Sequence, residues 1–558
     1  MLARLVEGRE LGGLVDLCAM GSMRAQLRGG LLSRARAAGL EYDKTGWYTV
    51  PPILVGQVLR SRWLPVARAV GLPVEDWRRW ALRERATAPA APPLDVAGAF
   101  PGLRAYQVEG VDWAASSGFT GLLGDDMGLG KTVQALAALE LLRGRLRLKR
   151  TLIVVTSSVL LNWPKEARRW SPSVDVRAAA TPKAICALAD GGFEGAIVVT
   201  WGQLSKKIPR GMPWPKVLAS LMRWAPDLLI ADEAQYAKEF SSSRGAALME
   251  LSYPSRCRLL MTGTPMRNRP RELWTLLHII DPVSYPAFKP FGDLYCGAVY
   301  RRYGTTVRAT YKGATRKPEL ARKLAEVMLR RRKVDVLTEL PDRTEHVRHF
   351  RASRDLRAGW TAVKVLMKQA KAAGETSPEL LGAFMKAYQA AGLEKVRPAL
   401  EIFDEVREAQ EEPGPVIFLI HHAGVREALE AALVKRGLRV GVIVGATTPI
   451  QRQDIVDAVQ AGEVDAFIGS QACKEGVTLT RASVVIQVER WWTYADEDQG
   501  VSRAHRFGQD RVVQWFFPHL SGSMDDYHAR IVVEKKDLSL DIVDGRGLLL
   551  AMLDLEPS

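Results

Sequence analysis

Gly124-Asp125-Asp126-Met127-Gly128-Leu129-Gly130-Lys131-Thr132 follows a short apolar run at 121–124 and leads into an apolar helix start at 133–142. Glycines let a backbone wrap closely enough for its N–H groups to point at an anion, and the following helix N-terminus adds its dipole. The order strand, loop, helix therefore predicts a phosphate-binding loop built around Gly128 and Gly130. Lys131 would reach the β and γ phosphates of ATP, and the Thr132 hydroxyl would hold Mg²⁺. The strict pattern has glycine where Asp125 stands, so the GLGKT core carries the reading.

Downstream, an apolar run at 227–231 ends in Asp232-Glu233-Ala234-Gln235. A carboxylate at a strand end can take the metal, while its neighbour orients and deprotonates an attacking water. Asp232 is assigned to Mg²⁺ and Glu233 to the general base.

Further short apolar runs recur between helical patterns, at 151–156, 196–200 and 258–262, then at 415–420, 439–444, 464–470, 483–488 and 512–516. Unalternated apolar runs suit strands buried on both faces, and strand–helix alternation suits parallel sheets. The fold class expected is α/β, with two parallel-sheet lobes in tandem. An Ala/Pro-rich stretch at 86–93 reads as a linker. The organisation expected is an N-terminal accessory domain at 1–85 with a candidate DNA surface, and a linker at 86–101. A first, ATP-binding lobe follows at 102–281, then a helical insertion with the interlobe connection at 282–399. A second lobe at 400–520 and a C-terminal brace at 521–558 complete the chain. Within the insertion, 317–336 and 353–393 read as helices.

At 558 residues the chain has length for three or four domains, at roughly 150 residues each. Apolar residues make up 47% of it, enough for each domain to bury a core of its own. The formal net charge of +16 fits a polyanionic partner. The five cysteines include no CxxC pair, which argues against a disulfide framework or a zinc site and for a reducing compartment. No apolar run approaches the ~20 residues that span a bilayer, so a soluble, cytoplasmic, nucleoid-associated chain with no membrane partner is expected. Ala- and Arg-rich usage suggests a bacterial or phage source.

The two motifs resemble those of helicase superfamily two, and other segments narrow the likeness to Swi/Snf-type ATPases. Leu103 to Trp113 (LRAYQVEGVDW) resembles the family's adenine-recognising segment, which implies that Gln107 reads the adenine edge. The run at 260–268, containing Thr262-Gly263-Thr264-Pro265, is similar to the third motif, which couples hydrolysis to DNA contact. Met328 to Leu337 (MLRRRKVDVL), with Leu340-Pro341 following, resembles a segment particular to the Swi/Snf type. Ser470 to Thr480, with Gly476 inside it, is similar to the fifth motif. The run at 499–509 (QGVSRAHRFGQ) is similar to the sixth, so Arg503 and Arg506 stand where the family places its arginine fingers. The resemblance covers roughly 103–509 and implies two RecA-like lobes with coupling residues Gln235, Thr262, Thr264 and Gln499. Gln235 replaces the commoner His, and Thr478 the usual Asn. Glu489, where most members have Asp, resembles the annealing-helicase (HARP-containing) branch.

By motif position the resemblance also implies DNA contacts at Ser157, Ser158, Asn162, Trp201 and Gly202 of the first lobe. His421, Gln471 and Lys474 are their counterparts in the second. Residues 40–51 read as a hairpin turning at 44–46. Tyr42, Trp47 and Tyr48, with Arg60, Arg62 and Arg68 nearby, form either a basic-aromatic DNA surface or a small structural hairpin. The function expected is a monomeric DNA-dependent ATPase stepping along double-stranded DNA, forked or not, with its protein cargo open. A strand-separating DNA or RNA helicase, and an ATP-gated DNA clamp with little turnover, are the alternatives.

Overall fold

The computed structural model describes five short strands within residues 5–50, then residues 94–529 apart from 206–215, 267–268, 304, 374–377, 475–476 and 492–493. Strands β1 (Leu5–Gly8), β2 (Gly13–Leu17), β3 (Met23–Ala25), β4 (Glu41–Tyr42) and β5 (Tyr48–Val50) form an antiparallel sheet in the order β1-β2-β3-β5-β4. β4 and β5 pair through Glu41↔Thr49 and Tyr42↔Tyr48, where a hairpin was expected. The turn at 44–46, Arg60, Arg62 and Arg68 lie outside the described residues.

Contacts divide the chain into two compact units, Met1–Asp125 with Gly130–Arg330, and Asp126–Leu129 with Arg331–Ser558. In the first, β6 (Thr120–Leu123), β7 (Arg150–Val155), β8 (Val176–Ala178), β9 (Gly195–Thr200), β10 (Leu228–Ala231) and β11 (Cys257–Met261) lie in one sheet. Two further strands, β12 (Ala298–Tyr303) and β13 (Thr306–Tyr311), pair only with each other, as an antiparallel ribbon. β14 (Met328–Leu329) joins the edge of the large sheet, whose order is β14-β6-β11-β10-β7-β9-β8, with every pairing parallel. Residues Leu152 to Val155 of β7 are fully buried, which is why the run shows no alternation.

The second unit repeats the plan. β15 (Arg343–Arg351), β16 (Val416–Leu419), β17 (Val440–Ile443), β18 (Ala466–Gly469), β19 (Val484–Gln487) and β20 (Val513–Ser521) form a parallel sheet in the order β15-β20-β19-β16-β18-β17. Val416 and Phe418 pack on one face with the helices Val396–Glu408 and Ala423–Lys435; Ile417 and Leu419 pack on the other with Trp491 and Trp515. Burying each such side chain stabilises the lobe by about 1.5–3 kcal/mol.

The stretch 282–399 departs from the helical insertion expected there, because it supplies the ribbon β12–β13 and the edge strands β14 and β15. The helix expected over 317–336 is interrupted. Lys317–Ala325 is helical, but Leu122 N donates to Val327 O (2.9 Å) and Gly124 N to Leu329 O (2.7 Å). Open donors on the sheet edge thus draw the chain out of helix and into β14. The second helical reading divides into Arg354–Ala373 and Pro378–Glu394. β15 escapes an apolar-run reading because most of its side chains are exposed, although all nine residues are in register with β20.

Candidate functional site

In the first unit the residues singled out by sequence gather at the carboxyl ends of parallel strands, the edge where open α/β sheets bind ligands. Gly124 follows β6, Ser157 and Ser158 follow β7, Trp201 and Gly202 follow β9, Asp232 and Glu233 follow β10, and Thr262 follows β11. Thr262 N donates to Leu123 O (3.1 Å) and Thr262 Oγ1 accepts from Thr264 N (3.0 Å), so the third motif adjoins the head of the phosphate loop.

Gly130 has φ +73°, and a Cβ there would stand 2.4 Å from Gln107 Nε2, so both backbone sterics and close approach require glycine. Gly128 is also left-handed, at φ +89°. Lys131 begins the helix Lys131–Arg145, and its Nζ donates to Asp125 O at 2.7 Å. Asp125, the departure from the strict pattern, has a structural role: its buried carboxylate accepts from Gln134 Nε2 (3.1 Å) and so braces the first turn. Gln107 Oε1 accepts from Arg104 N (3.0 Å), which caps the helix Ala105–Ser116 and sets the carboxamide against the loop. These glycines, a lysine at a helix N-terminus and the Thr132 hydroxyl fit a nucleotide triphosphate and its metal.

Glu233 adopts φ +50°, ψ +49°, a left-handed conformation that costs a non-glycine residue of order 1–3 kcal/mol and is characteristic of functional sites. Its N–H donates to Asp232 Oδ1 (3.0 Å). Gln235, almost wholly buried, donates from Nε2 to Glu233 Oε2 (2.5 Å). The residue expected to couple thus also orients the expected base.

Trp201, expected at DNA, is buried and donates its indole N–H to Asp232 O (2.9 Å). In this arrangement the indole is turned to the backbone of the acidic pair. Ser157, Asn162 and Gly202 are exposed and Ser158 is partly so. Arg330, read in sequence only as part of the Swi/Snf-type segment, donates from Nη1 to Gly124 O (2.5 Å) and Gly263 O (3.1 Å), tying the phosphate loop to the third motif.

In the second unit His421 and His422 follow β16, Gln471 follows β18 and Glu489 follows β19. The buried Glu489 accepts from His421 N (2.6 Å) and His422 N (2.8 Å) through Oε2, while Oε1 meets His422 Nδ1 at 2.6 Å. Tyr388 stacks on His421. Glu489 therefore shapes the loop that presents His421, and its extra methylene over Asp provides the reach. The Lys474 side chain and Gly476 lie outside the described residues.

Arg503 Nε donates to Gln499 O (3.2 Å), and Arg506 Nη1 donates to Thr478 Oγ1 (3.0 Å) and Val477 O (3.3 Å). Thr478 thus still supplies a side-chain acceptor where Asn is usual. Burial, then the neighbouring Arg503 charge, lowers the Arg506 guanidinium to about 10, a cost that an anion would relieve. Gln499 is buried with both carboxamide atoms lacking a hydrogen-bond partner among the described residues, an arrangement that costs about 1–3 kcal/mol per group unless a further group arrives.

Lys333 Nζ donates to Ser502 Oγ and His505 O, both at 2.9 Å, and binds the sixth motif to the Swi/Snf-type segment. Burial brings its amine from 10.5 down to about 8. Below about 8 folded and unfolded chains both carry the proton and the burial penalty is full. Between about 8 and 10.5 only the unfolded chain keeps it, so the Lys333 contribution to stability rises with pH. Urea unfolding across that window should rise more steeply for wild type than for Lys333→Met; equal slopes would refute the lowered amine.

A family model described as SNF2-related domain matches residues 106–390, and one described as helicase conserved C-terminal domain matches 398–508. The chain is 28% identical over 440 residues to the SWI/SNF-related matrix-associated actin-dependent regulator of chromatin subfamily A-like protein 1 of Xenopus tropicalis, covering 78% of this chain and 44% of that protein. It is 25% identical over 460 residues to the human DNA annealing helicase and endonuclease ZRANB3, covering 79% and 40%. The chain thus spans less than half the length of these curated relatives. Among solved structures, a Sulfolobus solfataricus SWI2/SNF2 ATPase core in complex with dsDNA is similar at 22% identity and TM-score 0.37, over 81% of this chain and 95% of that one.

Proposed function

Because this chain belongs to the SNF2-related family, we propose that it is a DNA-dependent ATPase that translocates on double-stranded DNA and remodels protein–DNA or forked and annealed DNA structures. The observation that carries this reading is the strained Glu233, held by Gln235 beside Asp232, in the same unit as the Gly130–Lys131 helix start. A clamp with little turnover could dispense with a strained, oriented base.

In this reading the N–H groups around Gly128 and Gly130 and the Lys131 ammonium hold the triphosphate, with Gln107 at the base. Thr132 and Asp232 hold Mg²⁺, which when bound neutralises phosphate charge. Glu233 accepts a proton from the water that attacks the γ phosphorus, and the leaving group is ADP. Arg503 and Arg506 stabilise charge on the transferring phosphoryl group. Gln235, Thr262, Thr264 and Gln499 connect this chemistry to the DNA contacts, with Gly476 in the fifth motif. Ser157, Ser158, Asn162, Gly202, His421, Gln471 and Lys474 meet phosphates and so carry little sequence information. The chain acts as a monomer on duplex DNA, forked duplex included, which places it at the nucleoid.

Phosphate release with no nucleic acid, single-stranded DNA, blunt duplex, forked duplex and RNA tests the reading. Strong stimulation by blunt duplex is expected, and a further rise with forks would favour the annealing branch. Stimulation by single strands or RNA alone would replace it with a strand-separating helicase, and no turnover under any condition with an ATP-gated clamp.

A further inference from the structure

Across the β12–β13 ribbon, Arg301 is the direct cross-strand partner of Arg308. Like charges directly opposite on one face of an antiparallel pair destabilise it. Both arginines are exposed, and neither has an ion-pair partner among the described residues. The fold gains nothing from this pairing, so its reason lies outside the fold.

The pleat sorts the two faces. Ala298↔Tyr311 and Tyr300↔Ala309 share one face. That face is held by the helix Phe288–Tyr295, where Tyr300 Oη and Tyr311 Oη both donate to Asp293 Oδ1 (2.5 and 3.2 Å) and Tyr311 packs edge-on against Phe288. The other face carries Val299↔Thr310 and Arg301↔Arg308, with Thr306 at the ribbon's end. From 294 to 318 the chain has six basic residues (Arg301, Arg302, Arg308, Lys312, Arg316, Lys317) and no Asp or Glu. Asp293, the acid just before this run, is occupied on the packed side by Lys289 and the two tyrosines. The outward face therefore presents two exposed guanidiniums beside Val299, Thr306 and Thr310, without an acidic residue in the run 294–318.

We propose that this outward face, centred on Arg301 and Arg308, is an additional contact for the phosphate backbone of duplex DNA. It lies outside all the helicase-type motifs, and it rests on the duplex reading above. Arginine's planar fork suits phosphate oxygens, and an anion between the two arginines turns their mutual repulsion into attraction. The helix behind the ribbon holds the ribbon itself through Tyr300 and Tyr311, so the two arginines keep their register.

The test uses the full chain with Arg301→Thr/Arg308→Thr and Arg301→Lys/Arg308→Lys. Opposed threonines are a favourable strand pair, so the first variant should melt at or above the wild-type temperature. Duplex affinity is measured against salt concentration. Two lost phosphate contacts should lower the slope of log K against log salt by about 1.8, and weaken binding at 0.1 M salt by about one to two orders of magnitude. The lysine variant should keep most of the wild-type slope. Wild-type chain that shows no salt-dependent duplex binding would defeat the duplex reading and this proposal together. Wild-type binding with an unaltered slope in the threonine variant would overturn this proposal alone and leave the arginine pair to an acidic protein surface.

Discussion

Glu233→Gln is expected to lower phosphate release by about 10²–10⁴-fold, the range for losing a positioned general base, with nucleotide affinity near wild type. The substitution keeps size and leaves an amide oxygen to accept from Gln235 Nε2, so the local hydrogen bond survives. What disappears is the ability to take a proton from water. The left-handed backbone at 233 already holds the side chain of either residue in place, so the loss should appear in kcat rather than in ATP binding. Comparing kcat with an equilibrium ATP Kd for the two proteins checks this. A kcat reduced by less than about tenfold would show that another group accepts the proton.

The largest expected effect on stability lies at Lys395. Its Nζ is 3.0 Å from Asp525 Oδ1, and both side chains are at least 97% buried, with relative exposures of 1% and 3%. Lys395 lies between the helices Pro378–Glu394 and Val396–Glu408, and Asp525 lies at the foot of β20, where Oδ2 also accepts from Leu520 N (3.0 Å). Burial alone would raise the Asp525 carboxyl, but the Lys395 charge and the Leu520 N–H offset it and hold the carboxyl below the ordinary range. Lys395→Met leaves that carboxylate buried without its cation and should cost about 3–5 kcal/mol, a large part of a domain's typical 5–15 kcal/mol. Lys395→Met/Asp525→Leu should recover most of the loss, because a well-packed apolar pair replaces a buried ion pair at little cost. Urea unfolding of the three proteins measures both effects. A single-variant loss under about 1 kcal/mol would mean that water reaches the pair.

This ion pair also shows where sequence reading stopped short. A C-terminal brace was expected over 521–558; residues 525–529 are helical, and 530–558 lie outside the described residues. Lys395 and Asp525 stand 130 positions apart, so no local pattern joins them. Trp201 has the same lesson. Its place in the chain is that of a DNA-contacting motif, yet its side chain turns inward to Asp232, a choice made by the neighbouring strand rather than by its own segment.

The sequence by itself determined the two parallel sheets and the phosphate and carboxylate motifs. Strands buried on both faces must be apolar throughout, and a backbone that cradles phosphate must have glycine at set positions. The runs at β6, β7, β9, β10, β11 and β16 to β20 were legible for that reason, with ends shifted by a residue or so and β20 running longer. Only the tertiary structure decided the rest: edge strands β8, β14 and β15, the ribbon β12–β13, Arg330 between two loops, and Glu489 under the His421–His422 backbone. An edge strand is held by backbone hydrogen bonds that any side chain permits, so Arg343–Arg351 can be charged and exposed and still complete a sheet. The Arg301–Arg308 pairing likewise exists only once the ribbon has folded, because register, not sequence proximity, brings the two charges face to face.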